Sequence, residues 1–368
     1  MNTLISYRPP LGTPIEQLVT PCLILDLDAL EHNIGVIAKL YEKSNCKLRP
    51  HIKNHKCPEI AKMQIGAGGT VGGVCTAKVS EAEIMAESGI HDILIANQIV
   101  GVGKLARVAS LAKRAIITIA CDDVTNVINL SAAAVSEDAQ INVLVEINTS
   151  LNRAGSRSLE NAVLVAQKIS TMPGLHFEGI MSHQVIDGTP NQAIRFAKAN
   201  SDITLLLDAK AAIEKSGLSV KTVSTGETWS YDAVAHMPEV TEVQAGSYIL
   251  LDTSYNYMTD FHIAAKVLGT ITSVPRPGFA TGDVSIEAMA FPKGLPIVER
   301  PEGVSVSRLT YEQTFLDFSD GINLGLNEQF ILLPAHEDMM VNRWNQYIVV
   351  RNGIVEDVWE IKARGMVH

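Results

Sequence analysis

Eight short apolar runs, most of them separated by stretches of helical periodicity, restrict this chain more than any other feature. They fall at residues 47–53, 70–75, 92–96, 115–120, 141–147, 175–181, 219–224 and 242–246. Runs of that length bounded by turn residues read as buried strands, and parallel strands joined by helices are covered on both faces. Eight strand–helix repeats fit an α/β fold, a closed (β/α)8 barrel of TIM type, better than an open doubly wound sheet. Ahead of them, residues 21–26 (PCLILD) read as a further short strand. Residues 27–43 read as a helix with Leu30, Ile34, Ile37 and Leu40 at helical spacing. Residues 80–87 make another, with an acidic first turn and Gly89 as its stop.

After Leu251 the pattern changes. Short β-rich runs at 264–274, 330–333 and 347–350 are separated by turn residues such as Arg276-Pro277-Gly278, Thr281-Gly282-Asp283 and Asn352-Gly353. This predicts a smaller all-β domain after the barrel, with the barrel over residues 20–255 and the β domain over 1–19 and 256–368. Pro9, Pro10, Gly12 and Pro14 make the first 20 residues an extended lead-in that packs with the second domain. A net charge of −10 with no long basic run argues against a nucleic-acid partner. No apolar run reaches the roughly 18 residues that span a bilayer, and MNTLISYRPP lacks the apolar core of a signal peptide, so a cytoplasmic protein with no membrane partner is expected. The five cysteines, Cys22, Cys46, Cys57, Cys75 and Cys121, have no metal-ligand spacing and are expected as reduced thiols.

The chemistry centres on residues 48–56, Leu-Arg-Pro-His-Ile-Lys-Asn-His-Lys. If 47–53 is a strand, its period of two puts Arg49, His51 and Lys53 on one face and Leu48 and Ile52 on the other. Two faces of different chemistry imply two different buried neighbours, as inside a barrel ringed by helices. A lysine at the C-terminal end of that strand reaches the barrel mouth. Burial disfavours the charged amine and makes it a nucleophile towards carbonyl groups. Lys56 is the rival, but it falls beyond the strand.

Other motifs are weaker. The glycines of residues 66–73 fail as a dinucleotide fingerprint, because Val71 stands where the third glycine belongs and a strand follows instead of a helix. The loops 224–228 (STGET) and 245–248 (AGSY) follow the last two barrel strands, a common phosphate seat, although each taken alone also reads as an ordinary capped turn. Arg153 follows the strand at 141–147 and so comes out at the mouth, where a guanidinium can hold a phenolate or carboxylate; alone it reads as a surface arginine. His336 and Asp338, two apart in an extended segment, would project to one side and could chelate a divalent ion, with Glu337 pointing away. Two ligands do not specify a metal, and a polar loop remains the alternative.

Taken together, these residues resemble the fold-type III pyridoxal-phosphate enzymes, in the branch of D-threonine aldolase, D-serine dehydratase and 3-hydroxyaspartate aldolase. The resemblance runs from residues 20–30 (TPCLILDLDAL) to 358–365 (VWEIKARG) and is most specific at 49–56 and 334–338 (PAHED). It implies that Lys53 binds the aldehyde of pyridoxal 5'-phosphate and Arg153 contacts the phenolic oxygen. Thr225, Gly226, Gly246, Ser247 and Tyr248 would surround the phosphate. His336 and Asp338 would hold a divalent metal (manganese, magnesium or zinc) beside the substrate hydroxyl. It implies a homodimer acting on a small amino-acid substrate, a lyase that cleaves 3-hydroxy-D-amino acids to glycine and an aldehyde. In the aldolases a tyrosine and then a histidine follow the seventh strand; here His183 stands at the first position, beside the cofactor, and Ile186 at the second. Gln244 stands where racemases carry an arginine near the pyridine nitrogen. Dehydration of D-serine or 3-hydroxyaspartate is the alternative, then racemisation. A non-catalytic pyridoxal-phosphate carrier is the alternative of a different class, but such carriers lack the β domain and its His336–Asp338 pair.

Overall fold

The computed structural model describes residues 7–184, 188–290, 293–319 and 321–368. Strand β1 (Cys22–Asp26) is buried along almost its whole length. It pairs antiparallel with residues 265–268 and parallel with 348–350. The assignment of residues 20–255 to the barrel is corrected at this strand. A run buried on both faces does not say which sheet it enters, and its partners lie more than 200 residues ahead. Helix α1 (Leu27–Glu42) follows, ending within a residue of expectation.

The chain divides into two compact units. The larger is the barrel: β2 (Lys47–Leu48), β3 (Val74–Thr76), β4 (Asp92–Gln98), β5 (Ile116–Cys121), β6 (Ile141–Glu146), β7 (Leu175–Met181), β8 (Thr222–Thr225) and β9 (Glu242–Val243). All pair in parallel in the order β2-β9-β8-β7-β6-β5-β4-β3, and bridges from Leu48 to Thr70 and from His51 to Cys75 join the two ends of that order. Helices α2 (Pro58–Gly66), α3 (Val79–Glu87), α4 (Val102–Ala112), α5 (Val124–Ser136), α6 (Leu159–Thr171), α7 (Gln192–Lys215) and α8 (Tyr231–Val234) connect them. Asp123, Ser158 and Asn191 cap α5, α6 and α7 with side-chain oxygens, which satisfies first-turn amides that have no partner within the helix.

Strand β2 is shorter than the predicted 47–53. Pro50 has no N–H to give a ladder, so regular pairing stops at Leu48. The direction nevertheless persists: the amides of Arg49 and His51 donate to the carbonyls of Val243 (2.8 Å) and Ala245 (3.2 Å), and that of Ile52 to Cys75 (2.9 Å). Inside the ring, Cys75, Leu94, Ala96, Ala120, Leu144 and Met181 form an apolar plug. Towards the N-terminal ends of the strands, Arg49 is gripped by Glu242 (2.7 and 2.9 Å) and by Asp92 (2.9 Å). Gly73 belongs to packing and not to nucleotide binding: a Cβ there would lie 2.3 Å from the Asp92 carbonyl oxygen.

The second unit is a mostly antiparallel sheet. Its strands are β10 (Ala265–Arg276), β11 (Phe279–Gly282), β12 (Ile297–Arg300), β13 (Val304–Leu309), β14 (Thr314–Phe318), β15 (Gln329–Leu333), β16 (Gln346–Arg351) and β17 (Ile354–Glu360), with β1 set between β10 and β16. The hairpin from β16 to β17 turns on Asn352 and Gly353, both at positive φ (49° and 73°), the backbone of a type I′ turn. The lead-in joins this unit. Gly12 donates to Val355 (2.8 Å), and Ile15 and Leu18 pack with Cys22, Ile24, Leu268 and Ile348. All five cysteines are buried free thiols, and no described helix is long and apolar enough to cross a membrane.

Candidate active site

Lys53 stands just past the β2 ladder, half-buried, with its amide directed at Nδ1 of buried His51 (3.4 Å). The His51 amide bonds to Ala245, so Lys53 leaves the barrel beside the 245–246 loop, and β8, which ends in Thr225, is the next strand round. Burial pushes the Cys75 thiol far above its ordinary value, while the charges of Arg49 and Lys53 pull it back. Beside Cys75, Gln244 lies 3.6 Å from the thiol through its Oε1 and donates from Nε2 to Ser224 (2.9 Å).

The loop after β8 is shaped for close approach. Thr225 is fully buried with its hydroxyl 2.7 Å from that of Ser182. Gly226 takes φ +90°, and a Cβ there would lie 2.7 Å from Val243 and 2.9 Å from Val234 side-chain carbons. Only glycine fits that turn without strain.

A third group joins the C-terminal ends of β4, β6 and β7. Buried Glu146 accepts from Gln98 (2.5 Å) and lies 3.3 Å from His183 Nδ1, while the Arg153 guanidinium lies 3.1 Å from that imidazole nitrogen and 3.9 Å from Glu146. Burial pushes the Glu146 carboxyl up. The hydrogen bond and charge of His183, the bond from Gln98 and the charge of Arg153 outweigh it and leave the carboxyl below its ordinary value. Glu146 was missed in the sequence, although a lone glutamate closing an apolar strand was a usable signal. Ile186 lies outside the described residues.

The second unit holds the acids. His336 is extended (φ −159°, ψ 102°), but the next residues turn into a short helix, α10 (Glu337–Val341), preceded in the chain by α9 (Ile286–Met289). The extended reading of 336–338 is therefore corrected, and with it the outward direction of Glu337. Glu337 is buried, takes a bond from the Asn54 amide (2.9 Å) and donates its own backbone N–H to Asp252 (3.2 Å). Asp252, His336 and Glu337 each place a ligand atom within 4.8 Å of the others. Asp338 accepts from Asn54 as well. Burial, then the charge of Asp338, then Asp252 push the Glu337 carboxyl well up, against a bond from Ser247. Such crowding of carboxylates with an imidazole suits a divalent cation, which supplies the missing positive charge. The Ser247 hydroxyl bonds to Asn54 (3.0 Å), and the Tyr248 ring is buried against Phe261 (5.6 Å between centroids). Asn54 and Asp252 had no signal in the sequence.

The amine of Lys53, the guanidinium of Arg153 and the hydroxyl-lined, glycine-opened turn at 224–226 are the donors that a phosphorylated aldehyde needs in a chain of net charge −10. The sequence model described as "Alanine racemase, N-terminal domain" matches residues 25–254. The chain belongs to the alanine racemase-like family. Pyridoxal phosphate is the cofactor expected of the family, and the residues at the barrel mouth fit it. A serine dehydratase domain model matches residues 264–350 of this member. The 3-hydroxy-D-aspartate aldolase of Paracoccus denitrificans (strain Pd 1222) is 35% identical over 366 residues, 96% of this chain and 94% of that protein. The D-threonine aldolase of Arthrobacter sp is 32% identical over 370 residues, 98% and 97%. The crystal structure of D-threonine aldolase from Filomicrobium marinum superposes with a TM-score of 0.94 at 35% identity, covering 98% of this chain and all of that one.

Proposed function

We propose that this protein is a pyridoxal-phosphate- and divalent-metal-dependent lyase that splits 3-hydroxy-D-amino acids between Cα and Cβ, giving glycine and an aldehyde. We infer further that it works as a cytoplasmic homodimer. The observation that carries the reading is that one chain has both a lysine at the barrel mouth and a His336–carboxylate cluster suited to a divalent ion; racemisation or simple cofactor carriage has no use for the second.

When bound, pyridoxal phosphate supplies an electron sink for the pair released as a bond to Cα breaks. Lys53 is the amine that would hold its aldehyde. Arg153, steadied by His183 and Glu146, would pair with the phenolic oxygen. Thr225, Gly226, Gly246, Ser247 and Tyr248 would surround the phosphate. Asp252, His336 and Glu337, whose ligand atoms lie within 4.8 Å of one another, with Asp338 bonded to the same Asn54 amide as Glu337, would hold manganese, magnesium or zinc, which would favour the ionised form of a substrate hydroxyl. The 3-hydroxyl must lose its proton for Cα–Cβ cleavage, and a carboxylate of this cluster left outside the ion's shell would be the group to take it.

The test is product analysis with D-threonine, D-3-hydroxyaspartate and D-serine, with and without divalent metal. Glycine that appears only with metal supports the reading; an oxo acid with ammonia means a dehydratase, and the L-isomer a racemase. Borohydride should abolish a visible absorbance band and leave the cofactor on Lys53, and a label on another residue would refute that assignment.

A further inference from the structure

Within the acid cluster of the second unit sits one neutral side chain whose bonding does not balance. Asn54 is completely buried. Its amide nitrogen carries two hydrogens but faces three acceptors: Ser247 Oγ at 3.0 Å, Glu337 Oε1 at 2.9 Å, and Asp338 Oδ1. The oxygen of the same amide is buried and makes no hydrogen bond among the described residues. An over-subscribed donor beside an unused acceptor is an arrangement that folding alone would not favour, since a buried polar atom without a partner is costly. It becomes satisfied if a cation enters. The carboxylates then share their charge with the ion, and the amide oxygen gains either the ion or a water it carries as its partner.

Resting on the metal reading above, we propose that Asn54 is a positioning residue of the divalent-metal centre. Its N–H groups hold Glu337 and Asp338 in the orientation in which, together with His336, they receive the ion, and its Oδ1 is the acceptor left for the ion's shell. The residue is unusually placed for this role, because the peptide bond before it joins it to Lys53.

The experiment is Mn2+ binding to the pyridoxal-phosphate-loaded protein, read by electron paramagnetic resonance, for wild type, Asn54→Ala and His336→Ala. The visible cofactor band and circular dichroism serve as controls for folding. Loss of an outer partner of a metal ligand weakens metal affinity by about 10–100-fold, and that is the change expected for Asn54→Ala. An affinity within about threefold of wild type, with His336→Ala losing the ion, would overturn the role of Asn54 and leave the metal reading standing. If His336→Ala also binds Mn2+ like wild type, the ion lies elsewhere and both fall. Should the alanine variant fail to fold, Asn54→Asp keeps the shape but removes the donors. Mn2+ should then raise its melting temperature by more than it raises that of wild type, because the ion offsets one carboxylate more; an equal shift would overturn the proposal.

Discussion

Arg49 offers a quantitative test of how the barrel presents Lys53. Its guanidinium makes a two-pronged bond to Glu242 at 2.7 and 2.9 Å and a further one to Asp92 at 2.9 Å, and the Arg49 and Glu242 side chains are each only 9% exposed. Burial would drive the proton off the guanidinium, but the two carboxylates hold its pKa above the ordinary value. Replacing it by methionine fills most of the volume and leaves the Glu242 carboxylate buried without a counter-charge. Breaking a buried pair from one side costs about 3–5 kcal/mol. Asp92 is 30% exposed and recovers water, so it adds little. An unfolding entropy of about 2.1 cal/mol/K per residue over 368 residues turns that cost into a fall of roughly 4–6 °C in melting temperature if the chain unfolds as one. The assay is thermal unfolding of the loaded protein, followed by circular dichroism and by the visible cofactor band. Arg49→Met with Glu242→Gln should recover much of the loss, since the lone charge is gone. A single variant that melts within about 1 °C of wild type at pH 7 would refute the argument, because it would mean that the pair contributes no net stability.

Two further outcomes are expected. Gly226→Ala forces a side chain into a turn at φ +90°, within 3 Å of two valines, and should lower stability by about 1–3 kcal/mol and speed loss of the cofactor on dialysis; retention at the wild-type rate would remove this turn from the phosphate seat. Glu146→Gln replaces a buried charge-assisted acceptor and should cost about 1.5–3 kcal/mol at pH 7. Because the folded Glu146 carboxyl lies below its ordinary value, that contribution is present above about pH 4.3 and fades as the pH falls through the folded value, so denaturant titrations of the two proteins should converge in acid.

The parts of this molecule that were legible in its sequence are those decided by neighbours close along the chain. Strand β7 was read to its end residues because an apolar run is closed on both sides by turn formers, whereas the strand read over 47–53 stops at Leu48 and residues 52–55 turn, so the alternation drawn through Lys53 does not hold there. The same alternation failed at His336-Glu337-Asp338, where the backbone turns into a helix after the histidine, so that neighbours meant to diverge face one buried cluster. A period of two is a property of extended backbone and carries no information once the chain curls. β1 and Asn54 were illegible for another reason. For β1, which was read as a strand, it is the sheet it joins, and for Asn54 its role, that is held by partners far away in the sequence, 193 and 283 residues distant for the Asn54 amide, and an asparagine after a lysine looks the same whether it caps a turn or braces a pair of acids. Glu146 lies between these cases: its place at the end of an apolar strand was visible, but the imidazole and guanidinium that hold it ionised come from other segments of the barrel mouth. Local pattern thus locates the groups that enter a site, whereas the protonation and direction of those groups are set by tertiary partners. A metal proposal drawn from spacing alone would accordingly have named the segment that carries the buried cluster and excluded Glu337, one of the carboxylates in it.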